Sequence, residues 1–242
     1  VIPKKLHFIW LGSDFPGKYQ QFLESWECLH PDWEIKVWND QDSKIFPMKR
    51  RDIFDSAPNW GVKSDVFRYE ILFSYGGVYA DTDFLCVRSL NELLTFSFFC
   101  GIVSKNEKSV NNALIGSISG HPLLDELLKQ LKTPLEGYSS EATFQSTGPS
   151  IFSNVVYDRL AETPVSVHVL PYDAFYPMPN TFSRNKEPPW KKYVTEQTYA
   201  VHFWDYSWQK RSFLETVRKA FLKPVPKFVK SWIKKFILRK EV

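Results

Sequence analysis

Between Lys5 and Gly12 the chain reads KLHFIWLG, a nearly continuous apolar run of the kind expected for a strand covered on both faces. After a loop punctuated by Pro16 and Gly17, Tyr19, Phe22, Leu23, Trp26 and Leu29 recur at helical spacing, and Pro31 closes that element. Trp33, Ile35 and Val37 then alternate with Glu34, Lys36 and Trp38, which is a strand pattern again. Strand, helix and strand in this order make a βαβ unit and imply a parallel sheet. Asn39 and Asp40 fall at a strand's carboxyl end, where open α/β sheets bind ligands.

The stretch KSDVFRYEILFSYGG, residues 63–77, predicts a helix. Ser64 is its expected N-cap, Asp65 sits in the first turn where the helix dipole favours negative charge, and Gly76 or Gly77 stops it. Asp65 and Arg68 are three residues apart and share one face. A short strand, VYA (78–80), leads into Asp81 and Asp83. Beyond it, FSFFCGIV (96–103) and VSVHVL (165–170) predict strands. Residues 121–131 and 148–160 predict helices, with Pro122 and Pro149 in their first turns, and 171–189 is a proline-rich loop or lid. His7, inside the first strand, is expected to be a hydrogen-bonded core residue.

Charge divides the chain of 242 residues. From 210 to 242 there are 11 Lys and Arg against Glu215 and Glu241, so a net +4 leaves −5 on residues 1–209. In that basic tail Phe213, Val217, Ala220 and Phe221 form one apolar stripe, broken by Pro224 and Pro226. Phe228, Val229, Trp232, Ile233, Phe236 and Ile237 form a second. A basic amphipathic tail behind a domain spanning 1–209 points to an anionic membrane surface as partner. Packing on the acidic body is the alternative, and the regular aromatic stripe argues against nucleic acid. Cys28, Cys86 and Cys100 are odd in number and far apart, which speaks against a disulfide framework or a zinc site and suits a reducing compartment. With no N-x-[ST] sequon, no signal peptide and no run of the ~20 apolar residues that a spanning helix needs, the expected location is cytoplasmic, peripheral on the inner face of a membrane. The Golgi lumen is the alternative if an N-terminal anchor precedes residue 1.

Asp81 and Asp83 carry the candidate chemistry. Side chains two apart on an extended segment point the same way, so both carboxylates face one volume with Thr82 turned aside. Such a pair makes a hard-oxygen site for Mg²⁺ or Mn²⁺. The preceding glycines let the backbone turn sharply and a ligand come close. A lone D-x-D is more often a turn or a solvated loop. This one follows a strand and a helix bearing Asp65 and Arg68, a much rarer combination.

These blocks, IPKKLHFIWLG, WEIKVWND, KSDVFRYEILFSYGGVYADTDF, NNALIGSISGHP, STGP and VHFWDYSW, resemble in order those of glycosyltransferase family 32, the retaining, DXD-containing sugar transferases. The large clostridial glucosylating toxins are more distant relatives. The resemblance runs from residue 2 to 208, and 64–84 is its most specific part. It implies a GT-A fold, an α/β architecture with a Rossmann-like nucleotide-binding sheet and the D-x-D at a central strand end. It also implies a nucleotide-sugar donor (UDP- or GDP-linked) and a divalent ion, Mn²⁺ or Mg²⁺. Carried over by residue, Trp10 lies against the base, with core packing as the alternative. Asp65 and Arg68 grip the donor sugar, unless they form only a surface pair. Asp81 bridges ribose and sugar, and Asp83 is the direct metal ligand. His202 completes the metal site and Trp208 covers the donor from a C-terminal loop. Asn112 and residues 146–149 line the donor or acceptor pocket, or else cap a helix and make a turn. Asn39 contacts the nucleotide or is an ordinary turn residue.

The implied activity is metal-dependent, retaining hexosyl transfer to a glycan or lipid-linked saccharide in surface polysaccharide, capsule or glycolipid synthesis. No carboxylate stands out as a covalent nucleophile, which favours front-face displacement with the leaving phosphate taking the acceptor's proton. Two rival readings are a toxin or effector that glycosylates a protein and a non-catalytic carbohydrate-binding relative.

Overall fold

The first elements take the expected βαβ form. Strands β1 (Lys5–Ile9) and β2 (Glu34–Trp38) pair in parallel, with α1 (Gln20–Leu29) between them in the chain. The computed structural model describes residues 1–132, 140–162, 167–182 and 188–205. Trp208 and the basic tail 210–242 lie outside them. The short helices α2 (Asp40–Ile45) and α3 (Arg51–Ser56) lead to α4 (Trp60–Tyr75), which feeds β3 (Gly77–Ala80) and β4 (Phe84–Cys86). Then come β5 (Phe98–Ser104), β6 (Glu107–Ser117), α5 (Pro122–Gln130), α6 (Ser140–Ser146) and α7 (Pro149–Glu162). The last are β7 (His168–Leu170), α8 (Tyr172–Phe175) and β8 (Ala200–His202).

The main sheet runs β2-β1-β3-β6-β5-β7, and β4 pairs with β8 in a small second sheet. β6 is antiparallel to both its neighbours, so the sheet is mixed rather than parallel throughout. Sequence reading missed β6 because Ser109, Asn111, Asn112, Gly116 and Ser117 interrupt its apolar pattern. β3 shows how the layers form. Val78 and Ala80 point into one apolar cluster with Phe8, Trp26, Phe84 and Val201, while Tyr79 points into another with Val66, Phe67, Leu124 and Phe152. The sheet is therefore buried on both faces, and β3 ends at its centre. Trp38, expected on a polar face of β2, is buried against Phe46 and Phe67 because that face is covered too.

His7 is the core residue expected. Its Nε2 lies 2.9 Å from the Gly76 carbonyl, and its Nδ1 accepts from Trp38 Nε1 at 3.2 Å, which fixes a neutral tautomer. Gly76 (φ 63°) and Gly77 (φ 103°) turn the chain from α4 into β3. A Cβ on Gly77 would meet the Lys5 carbonyl at 2.7 Å and His7 Nε2 at 2.9 Å. A Cβ on Gly76 would meet the Ser119 amide at 2.7 Å, so the close approaches these glycines permit are to β1 and to the chain just past the end of β6, where a ligand had been expected.

Candidate active site

Helix α4 begins a turn earlier than the sequence predicts. Asn59, not Ser64, is the N-cap: its side chain accepts from the Val62 amide at 3.0 Å and donates to Thr143 Oγ1 at 3.1 Å. Asp65 therefore lies beyond the first turn, and neighbouring side chains rather than the helix dipole hold it. Both Asp65 and Arg68 are buried, at 6% and 5% exposure, which removes the surface-pair reading.

Arg68 is the hub. Its Nη2 lies 3.2 Å from Asp65 Oδ1, and its Nη1 lies 3.2 Å from Asp81 Oδ1 and donates to the Asn112 carbonyl at 2.8 Å. The guanidinium also sits 4.5 Å over the Tyr79 ring. Asn112 lies in β6 and caps no helix. Its Nδ2 donates to Asp65 Oδ1 at 2.8 Å and to the Tyr69 hydroxyl at 2.6 Å. From the STGP block, Thr147 Oγ1 donates to Asp65 Oδ2 at 3.1 Å. Burial pushes the Asp65 carboxyl up to about 6 against the pull of Arg68 and Asn112. A planar cation flanked by carboxylates and an amide offers hydrogen-bond donors and acceptors side by side.

Asp81 and Asp83 converge by a route different from the one expected. β3 stops at Ala80, and the segment turns, with the Phe84 amide donating to the Asp81 carbonyl at 3.2 Å. Thr82 also lines the cleft. The Tyr79 hydroxyl donates to Asp81 Oδ1 at 2.6 Å. β8 brings in the third group, because His202 is registered opposite Phe84 and the two rings stack 4.4 Å apart. His202 Nε2 lies 3.2 Å from Asp83 Oδ1, and the Asp205 amide donates to Asp83 Oδ2 at 2.6 Å.

One ligand atom each from Asp81, Asp83 and His202 lies within 4.8 Å of the other two. Burial raises the Asp81 pKa and the Asp83 charge adds to this, while Arg68 and His202 pull it back. Burial pushes Asp83 up as well, but His202 and the Asp205 amide outweigh it and hold the carboxyl below its ordinary value. His202 Nδ1 is buried without a partner among the described residues. Two carboxylates and an imidazole around one point fit a divalent cation.

Asp65, Arg68, Asn112, Asp81, Asp83 and His202 open into one cleft of about 550 Å³. Trp10, just past β1, lines it beside Gly12 and Trp60, half-buried and 5.1 Å from the Tyr19 ring. Asn39 lies away from this floor. Its Oδ1 accepts from the Gln41 and Asp42 amides and caps α2, and it borders a neighbouring cleft that it shares with Trp10. Sequence reasoning missed Tyr79, Trp204 and Asp205. Tyr79 had a signal, standing two residues before Asp81. Trp204 and Asp205 had only their place in the HFWDYSW block.

The family description "Glycosyltransferase sugar-binding region containing DXD motif" matches residues 16–99, which hold Asp65, Arg68, Asp81 and Asp83. Inositol phosphoceramide mannosyltransferase 3 of Schizosaccharomyces pombe is 31% identical over 170 residues, 68% of this chain and 47% of that protein. Mannosyl phosphorylinositol ceramide synthase SUR1 of Saccharomyces cerevisiae is 33% identical over 136 residues, 54% of this chain and 35% of that protein. The chain thus spans less than half the length of either relative. The catalytic domain of alpha-toxin from Clostridium novyi superposes with a TM-score of 0.50 at 10% identity, covering 98% of this chain and 83% of that one. At that identity the likeness concerns the fold alone, and the fold is the GT-A arrangement.

Proposed function

The chain belongs to the DXD-containing sugar transferases, and from that membership we propose that it transfers a hexose from a nucleotide-sugar to a glycan or lipid-linked saccharide with retention. The observation that carries this reading is the convergence of Asp81, Asp83 and His202 in the cleft that also receives Trp10, Asp65 and Arg68. A divalent cation held by that triad would offset the charge developing on the departing diphosphate.

The chain's own groups do the rest. Trp10 stacks on the base, and Asp65 and Arg68 bind the donor hydroxyls from a pre-assembled network. On the face that the diphosphate leaves, the acceptor oxygen forms its bond to the anomeric carbon as the carbon–phosphate-oxygen bond breaks, and the acceptor's proton passes to the leaving phosphate. The imidazole favours Mn²⁺ over Mg²⁺. The two relatives' names direct the first assays to mannosyl donors and inositol-containing lipid acceptors.

A thermal-shift panel of UDP- and GDP-sugars with Mn²⁺ tests the reading, since a cognate donor stabilises only the folded chain. The expected result is one donor whose stabilisation disappears with chelator. If no nucleotide-sugar shifts the transition with Mn²⁺ present, the reading fails.

The 210–242 segment supports a second, separable proposal, peripheral attachment to an anionic membrane. Among the described residues no helix is long and apolar enough to cross one. Cutting the chain before Lys210 should abolish co-sedimentation with phosphatidylserine vesicles, and undiminished pelleting would refute the attachment.

A further inference from the structure

Two residues after His202 the chain is held in an uncommon backbone conformation. Trp204 has φ 58° although it is not glycine, and this left-handed region is unfavourable for a large side chain. Something must hold it there. On one side the Trp204 indole, 5% exposed, donates to the Met178 carbonyl at 2.8 Å and packs 4.3 Å from the His202 ring. On the other side stands Asp205. Its amide donates to Asp83 Oδ2, and its own Oδ2 accepts from the Tyr19 hydroxyl at 2.9 Å and from Lys18 Nζ at 2.5 Å. Tyr19 is 2% exposed, and its ring lies 5.1 Å from Trp10. A continuous chain of contacts therefore joins the carboxylate–imidazole corner to the aromatic wall of the cleft. Among the described residues, Asp205 is the link that carries both a backbone bond to the corner and side-chain bonds to the wall.

We propose that Asp205 is a positioning residue: by anchoring to Tyr19 and Lys18 it holds the Trp204 turn, which fixes Asp83 and His202 as cation ligands and couples their placement to the wall at Trp10. The inference rests on the proposed function, since it assigns the corner to a divalent ion. The two anchors differ in weight. Lys18 is more than half exposed, and a solvent-screened ion pair holds little. The Tyr19 hydroxyl donates to a carboxylate from a buried site, where a charge-assisted bond is strong. Asp205 touches no reacting atom in this scheme. Its effect runs through Asp83.

The test is Mn²⁺ binding to the full chain, read by the loss of the free-ion EPR signal, alongside donor KM and kcat. Asp205→Ala is expected to weaken Mn²⁺ about tenfold or more, equivalent to roughly 1.4 kcal/mol, and to raise donor KM more than it lowers kcat. Asp205→Asn, which keeps an acceptor for Tyr19, should recover part of the loss. Tyr19→Phe retains the ring and removes only the hydroxyl, so it reports even if Asp205→Ala does not fold, and it should weaken Mn²⁺ severalfold. Lys18→Met should change little. Wild-type Mn²⁺ affinity in folded Asp205→Ala, or in Tyr19→Phe where Asp205→Ala is unfolded, overturns the proposal. A wild-type chain that binds no Mn²⁺ overturns the functional reading instead, so the two failures are distinguishable.

Discussion

Two buried histidines mark two kinds of region in this molecule. His7, in β1, has both ring nitrogens engaged by Gly76 and Trp38 and serves the fold alone. His202, in β8, turns Nε2 toward Asp83 and leaves Nδ1 without a partner among the described residues. The same contrast separates the carboxylates. Asp65 is enclosed by Arg68, Asn112 and Thr147, whereas Asp81 and Asp83 face one another's charge across a shared corner. Where polar groups are saturated, the structure is complete as it stands. Where like charges are gathered and a buried nitrogen is idle, the arrangement is suited to a further positive charge.

The strongest way to break that contrast is at Asp83. Asp83→Asn removes a ligand charge from the open corner without changing shape, and should lower transfer by at least ~10²-fold with the far-UV circular dichroism unchanged. Full turnover in this variant would remove the assignment.

Arg68 probes the link between the two sides, since it pairs with both Asp65 and Asp81. Arg68→Ala strands Asp65 and Asp81 without their cation, and breaking a buried pair in this way costs about 3–5 kcal/mol. Urea unfolding should register that loss with or without donor. A loss seen only in activity would mean the network is not structural.

His7 gives a pH test of the fold region alone. Burial lowers its pKa from 6.5 to about 4. The folded value lies below the unfolded one, so its contribution is whole above pH 6.5 and is lost as the pH falls toward 4. At pH 5 the loss should be about 2 kcal/mol. His7→Gln should flatten that dependence, and an unchanged acid profile would contradict it. The smallest effect is expected at Asn39, where Asn39→Ala should cost about 1 kcal/mol as a lost helix cap. A fall in donor affinity beyond that would return Asn39 to the nucleotide site.

The contrast also explains what the sequence made legible. β1, α1, β2 and the end of α4 announced themselves because burial on a regular period writes itself into the residue pattern. Asp65, Arg68, Asp81 and Asp83 were legible as chemistry because each stood at a fixed offset from such an element. The geometry joining them was not. Asp81 and Asp83 meet through a turn where an extended segment was expected, and the α4 cap is Asn59 because Thr143, 84 residues away, completes it. β6 stayed hidden because a strand that lines a polar cleft gives up the apolar alternation by which strands are recognised. Trp204 and Asp205 depend on a left-handed backbone angle, which no residue pattern encodes unless glycine occupies the position.

The most direct measurement of the central claim is anomalous diffraction from crystals soaked with Mn²⁺ and a nucleoside diphosphate. The account predicts a single strong peak bonded to Asp81, Asp83 and His202, with the base against Trp10. A peak elsewhere, or none at that corner while the nucleotide is bound, would contradict it.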